Sequence, residues 1–169
     1  MELAVRPADV EELTEGPPLD VALENAYRKA AAIPRESITG KAGGPILGVD
    51  TLVAVGRRIL GKPRDEGHAR ETLGLLAGRE HVVISGVCVI DFRGTRAAAA
   101  STTVRFRAAT PELLDWYLAT EEWRDRAGGY AIQGRGAALV ERIEGDYTNV
   151  VGLPVPALLD VLPDLLAFP

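Results

Sequence analysis

The 169-residue sequence holds one cysteine, one methionine, two histidines and only 5% aromatic residues. A lone thiol cannot close an internal disulfide, and Cys88, inside the apolar run Val87-Cys88-Val89-Ile90, reads as a buried strand residue rather than a reactive nucleophile. His68 and His81 lack metal-ligand spacing and have no cysteine near them, which argues against a zinc site. Neither lies by a serine or cysteine nucleophile motif, so a hydrolytic triad has no support. No apolar run approaches the roughly 18 to 20 residues that span a bilayer. The stretch from Arg6 to Glu15 is polar and largely acidic, unlike a secretory leader. The expectation is a soluble, cytoplasmic protein with no membrane partner. Positive charge is also short: 19 basic against 24 acidic residues give a net charge of −5, the wrong sign for wrapping a nucleic-acid polymer. A small anionic ligand needs only a few converging cations, whose local field can oppose the net charge.

What is present suits one well-cored domain spanning residues 1–169, with 47% hydrophobic residues. A chain of this size buries roughly 70% of its unfolded surface and needs no staples. After Pro17-Pro18, residues Leu19, Ala22, Leu23, Ala26, Tyr27 and Ala30 share one helical face, with Glu24 and Arg28 paired outside and Pro34 as the stop. Arg35 to Pro45 reads as a glycine-rich loop feeding a short strand, Ile46 to Val49, that ends in Asp50-Thr51, continues through Leu52 to Val55 and turns at Gly56. A helix is predicted over Asp65 to Leu76 with Gly78 just beyond it. His81 to Asp91 and Ala97 to Arg107 form a hairpin around Arg93-Gly94-Thr95. Thr110 caps a helix with Pro111 at its first position. A glycine-rich loop over Gly128 to Gly136 precedes a strand at Ala137 to Ile143, and Pro154 to Leu166 is helical with a kink or end at Pro163. Helices alternate with strands and hairpins interrupt the alternation, so the class is α/β or α+β with a sheet of mixed direction.

Several residues carry candidate chemistry. Asp50 follows an apolar strand with Gly48 beside it; a carboxylate there holds a divalent cation or orients water, or simply caps its own turn. Gly56-x-x-x-x-Gly61-Lys62 imitates a phosphate-binding loop but has Pro63 where that motif needs a hydroxyl. With three lysines against sixteen arginines, Lys29, Lys41 and Lys62 stand out as possible point charges for phosphate. Gln133 lies among Gly128, Gly129, Gly134 and Gly136, placed either to read a base or hold water, or as an exposed turn amide.

Taken in order, these pieces resemble the Maf family of nucleoside triphosphate pyrophosphatases. The resemblance rests on Asp9-Val10-Glu11-Glu12, Lys29-Ala30, Gly48-Val49-Asp50-Thr51, Gly61-Lys62-Pro63, Gly78-Arg79-Glu80-His81, Ser85-Gly86-Val87, Ala127-Gly128-Gly129-Tyr130-Ala131-Ile132-Gln133-Gly134 and Gly145-Asp146-Tyr147-Thr148-Asn149-Val150-Val151-Gly152-Leu153-Pro154. It implies a Maf/ITPase-like α/β fold, a mixed twisted sheet flanked by helices with an active-site cleft between two lobes. It also implies hydrolysis of a nucleoside triphosphate between the α and β phosphates, a divalent cation (Mg or Mn) held by Glu12 and Asp50, and a homodimer. By the same resemblance Asp50, Glu12 and Lys62 are catalytic, while Lys29, Lys62, Gln133 and Thr51 bind substrate. The Tyr-x-Ile-Gln-Gly form around Gln133 resembles the pyrimidine branch, dTTP and UTP.

The chain departs from that pattern in three places. Gly48-Val49 replaces an alanine pair, and Arg126 stands where lysine is usual. The Ser-x-Ser-Pro-Arg-Arg strand and loop with which the family opens is not in this sequence, where Met1 to Val5 supplies only the strand that follows it. Two causes are open, a start assigned too far downstream or a real deletion, and the first is expected, since deleting an inner strand exposes sheet edge. The alternative function is that of a catalytically impaired nucleotide-binding or cell-division regulatory protein.

Overall fold

The computed structural model describes residues 4–34 and 44–167. Lys41, Met1 to Leu3 and most of the loop expected over 35–45 lie outside them. Helix α1 (Pro18–Ala31) leads to β1 (Ile46–Val55), β2 (Arg58–Leu60), α2 (Glu66–Leu76), β3 (Glu80–Asp91), β4 (Gly94–Phe106), α3 (Pro111–Leu118), β5 (Val140–Glu144), α4 (Tyr147–Val151) and α5 (Val155–Val161). Thr110 caps α3 as predicted, and Asp65, expected as the first residue of α2, instead caps it through its side chain.

The sheet order is β2-β1-β3-β4-β5. The α/β class and flanking helices agree with the sequence reading, whereas the strand directions do not: every pairing among the described residues is antiparallel. The reason is that β2 reverses the chain before α2 begins, so β3 returns antiparallel to β1. Three other expectations change. β1 runs unbroken through Asp50. Residues Arg135–Leu139 form a 3-10 helix, which delays the strand to Val140. Ala4 and Val5, expected in a strand, are irregular and exposed.

Alternation along β1 and β3 divides the core between two faces. On one face α1 covers both strands, with Val21, Ala22, Leu52, Ala54 and Ile84 packed together and Ala26, Ala30, Ile46, Cys88 and Ile90 beside them. Contact is close because a Cβ at Gly48 would strike the Ala26 carbonyl and Ala30 amide, and one at Gly86 would strike the Ala22 carbonyl. On the other face α5 packs Ala157, Leu158 and Val161 on Val87 and Val89. A larger cluster joins Val53, Val83 and Val104 to Leu73 and Leu76 of α2, Tyr117 and Leu118 of α3, and Trp123, Tyr130 and Leu139. Among the described residues no helix is long and apolar enough to cross a membrane.

Candidate active site

Strand β1 pairs with β2 only over Val53–Val55, so the outer side of its first half has no partner strand among the described residues. A cleft of about 440 Å³ follows that edge. Asp50 therefore reaches the cleft from mid-strand, not from beyond a strand's carboxyl end as the sequence suggested. One wall comes from Glu12, Asn25, Lys29, Asp50 and Thr51; the facing wall from Lys62, Asp125, Arg126, Tyr130 and Gln133.

The flush seating of α1 on Gly48 and Gly86 determines the first wall. Asp50 lies two residues from Gly48 on the same face and is in register with Gly86, directly under the helix. Asn25 and Lys29, one turn apart, both point at it. The Lys29 ammonium is 2.6 Å from Asp50 Oδ1 and 2.7 Å from Glu12 Oε1. Asn25 Nδ2 donates to Asp50 Oδ2 at 3.0 Å. The same amide brackets the backbone of Leu13, donating to its carbonyl at 3.0 Å and accepting from its N–H at 2.8 Å, while Arg28 donates to the Glu11 carbonyl at 3.2 Å. These bonds hold the irregular segment that carries Glu12 against α1. Burial works against the Lys29 charge, yet the two carboxylates prevail and raise its pKa above that of a free lysine.

Thr51, the next residue along, points to the opposite face. Its hydroxyl is 2.7 Å from that of Ser85 and donates to the Gly152 carbonyl at 3.3 Å. Gly152 is positioned by the Gly145 to Pro154 string: Asp146 caps α4, and buried Asn149 donates to the Val83 carbonyl at 3.0 Å and to Thr102 Oγ1 at 2.9 Å. On the facing wall Lys62 is exposed and makes no ion pair with a described residue. Gln133 is exposed at the tip of a turn fixed from behind, where the Glu122 carboxylate accepts from the N–H groups of Arg135 at 2.7 Å and Gly136 at 3.4 Å. The Tyr117 hydroxyl accepts from Ala131 N–H at 3.1 Å, and Tyr130 meets His81 Nε2 at 2.9 Å. Burial pushes the Tyr117 phenol up to about 12 and the Tyr130 phenol higher still, so both stay neutral.

Of the residues singled out in the sequence, Lys29 touches both Glu12 and Asp50, and Thr51, Lys62 and Gln133 line the same cleft. The sequence reading missed Asn25, whose signal was a polar residue on the inner side of an alanine-rich helix face. Ser85 and Asn149 stand in the quoted strings without a role, because their partners lie far along the chain.

The Maf-like protein family model matches residues 1–165. The chain belongs to the Maf family. Among relatives of this Maf chain, the dTTP/UTP pyrophosphatase of Pyrococcus furiosus is 41% identical over 163 residues, covering 95% of this chain and 84% of that protein. The dTTP/UTP pyrophosphatase of Gloeobacter violaceus is 42% identical over 160 residues, 94% of this chain and 82% of the relative. That of Bacillus cytotoxicus is 43% identical over 145 residues, 84% and 72% respectively.

Proposed function

We infer that this chain is a nucleoside triphosphate pyrophosphatase acting on dTTP and UTP, releasing the monophosphate and pyrophosphate. The names of its relatives support the activity. The observation that carries the assignment to this cleft is the convergence of Glu12 and Asp50 on Lys29, with Lys62 on the facing wall in no ion pair with a described residue.

Glu12 and Asp50 suit a divalent cation, because their oxygens already converge on one positive charge and hard cations take oxygen ligands. No group of three or more His, Cys, Asp or Glu side chains gathers among the described residues. A magnesium-like ion held by two carboxylates, water and substrate phosphate fits such a donor set. Such an ion, held by Glu12 and Asp50, would supply Lewis-acid polarisation of a phosphoryl oxygen and neutralise charge. Asp50 aligns the water whose oxygen attacks the α phosphorus as the bond to the β phosphate breaks. Lys62 meets the negative charge that gathers on the departing pyrophosphate, where a fixed cation counts most. Gln133, exposed at the tip of its turn, contributes to base selection. Thr51, tied to Ser85 and Gly152, shapes the floor on which the nucleotide rests. The homodimer and cytoplasmic location that accompany this reading are tested by light scattering and cell fractionation.

Pyrophosphate release from dTTP and UTP with magnesium, with a purine triphosphate for comparison, tests the assignment. Asp50→Asn should slow turnover by roughly 10²- to 10⁴-fold. Equal rates in the two chains overturn the role of Asp50; nucleotide binding without pyrophosphate release by the unaltered chain favours a regulatory protein instead.

A further inference from the structure

Lys29 differs from the other cleft lysine in what already holds it. Lys62 is exposed and makes no ion pair with a described residue, whereas the Lys29 ammonium bridges Glu12 Oε1 and Asp50 Oδ1 at 2.7 and 2.6 Å. Those two carboxylates come from separate parts of the chain, and without a cation between them they repel. The second oxygen of Asp50 is held independently by Asn25. The partner of Oδ1 can therefore change while the carboxylate keeps its orientation. The Lys29 side chain also lines the cleft, and its stem is a flexible four-carbon arm.

We propose that Lys29 is an exchangeable cation: its ammonium occupies the place between Glu12 and Asp50 until a divalent cation enters, and on displacement it turns into the cleft to meet the substrate's phosphates. The inference rests on the reading of Glu12 and Asp50 as the cation's carboxylates. Two cations cannot share the same carboxylate oxygens without strong repulsion, so entry of one expels the other. The exchange leaves neither state with two bare carboxylates facing each other. It also couples cation entry to delivery of a positive charge where the polyphosphate lies, which favours the cation arriving together with nucleotide over the cation alone.

Mn²⁺ binding to the nucleotide-free protein, followed by the electron paramagnetic resonance of the free ion, separates the two ideas. Lys29→Met keeps the flexible stem but ends one atom short of the ammonium and removes the competing charge; it should bind Mn²⁺ about tenfold tighter or more, given the strength of the charge-assisted hydrogen bonds lost. Pyrophosphate release should fall in the same variant. Asp50→Asn should weaken Mn²⁺ binding. If Asp50→Asn binds as the unaltered chain does, the carboxylate reading fails and takes the exchange with it. If Asp50→Asn loses Mn²⁺ while Lys29→Met gains nothing, the exchange alone is overturned. A measurement on the unaltered chain guards against a misfolded variant: acylation of Lys29 by a water-soluble active ester, read by peptide mass spectrometry relative to Lys62, should speed up when Mg²⁺ is added. An unchanged ratio at saturating Mg²⁺ overturns the exchange.

Discussion

Asn25 commits its whole amide to the site, with two donors on the Leu13 carbonyl and Asp50 and its acceptor on the Leu13 N–H. Being 2% exposed, it makes these bonds where water cannot replace them. It is a positioning residue: it fixes the direction of the Asp50 carboxylate and the place of the segment bearing Glu12, and it lies a full turn from the lysine that bridges them. Asn25→Leu fills similar volume but leaves Asp50 Oδ2 and the Leu13 backbone without partners. A buried hydrogen bond to a charged group contributes about 1.5 to 3 kcal/mol, so kcat/KM should fall roughly 10- to 100-fold. Steady-state kinetics and Mn²⁺ titration check this, since a merely structural residue would lower the melting temperature without weakening the cation. Unchanged Mn²⁺ affinity in a folded variant removes the positioning role.

At the scale of the element, α1 shows why part of the site was legible in sequence and part was not. The period of Ala22, Ala26 and Ala30 correctly predicts a helix ending before Pro34, and the Glu24–Arg28 pair forms at 2.8 Å. The inward face lies away from two of the large residues that the period assigns to it: Leu19 and Tyr27 are each 45% exposed, while Val21 and Asn25 are buried. Hydrophobicity favours large side chains for the core, but a helix laid on Gly48 and Gly86 excludes them and seats alanine. Similarly, the short α4 has no periodicity to reveal it, because long-range bonds from Asn149 hold it in place. Two glycine substitutions check this account. Gly86→Ala places a methyl against the α1 backbone at Ala22 and Leu23, which cannot yield as a flexible side chain would. It should cost about 1 to 3 kcal/mol in urea denaturation and reduce activity by lifting Asn25 and Lys29 off Asp50. Gly74→Ala, at an exposed position in α2 with nothing within 4 Å of the added carbon, should instead stabilise by about 0.4 to 1 kcal/mol.

Across the whole molecule, the cleft is a seam between the glycine-seated helix and the cluster built on α2 and α3, and His81 couples that cluster to the cleft wall. Its ring packs edge-on against Phe106 and Tyr130, and Nε2 meets the Tyr130 hydroxyl while Nδ1 has no hydrogen-bond partner among the described residues. Burial lowers its pKa to about 4 from an ordinary 6.5, because a proton added here makes a charge with nothing to answer it. The unfolded chain, by contrast, takes up that proton near pH 6.5. Between these values the unfolded state binds more protons than the folded one, so acid favours unfolding. The stability contributed by a neutral His81 is therefore complete above about pH 6.5 and is lost as pH falls toward 4. The slope is at most about 1.4 kcal/mol per pH unit, with a total on the order of 3 kcal/mol. Urea midpoints at pH 7 and pH 5 should separate by this effect in the unaltered chain. His81→Gln, whatever its absolute stability, removes the titrating group and should show a shallower loss over the same window. Parallel pH profiles for the two proteins would mean that His81 is protonated without unfolding the cluster, and that the wall carrying Tyr130 yields to admit the charge.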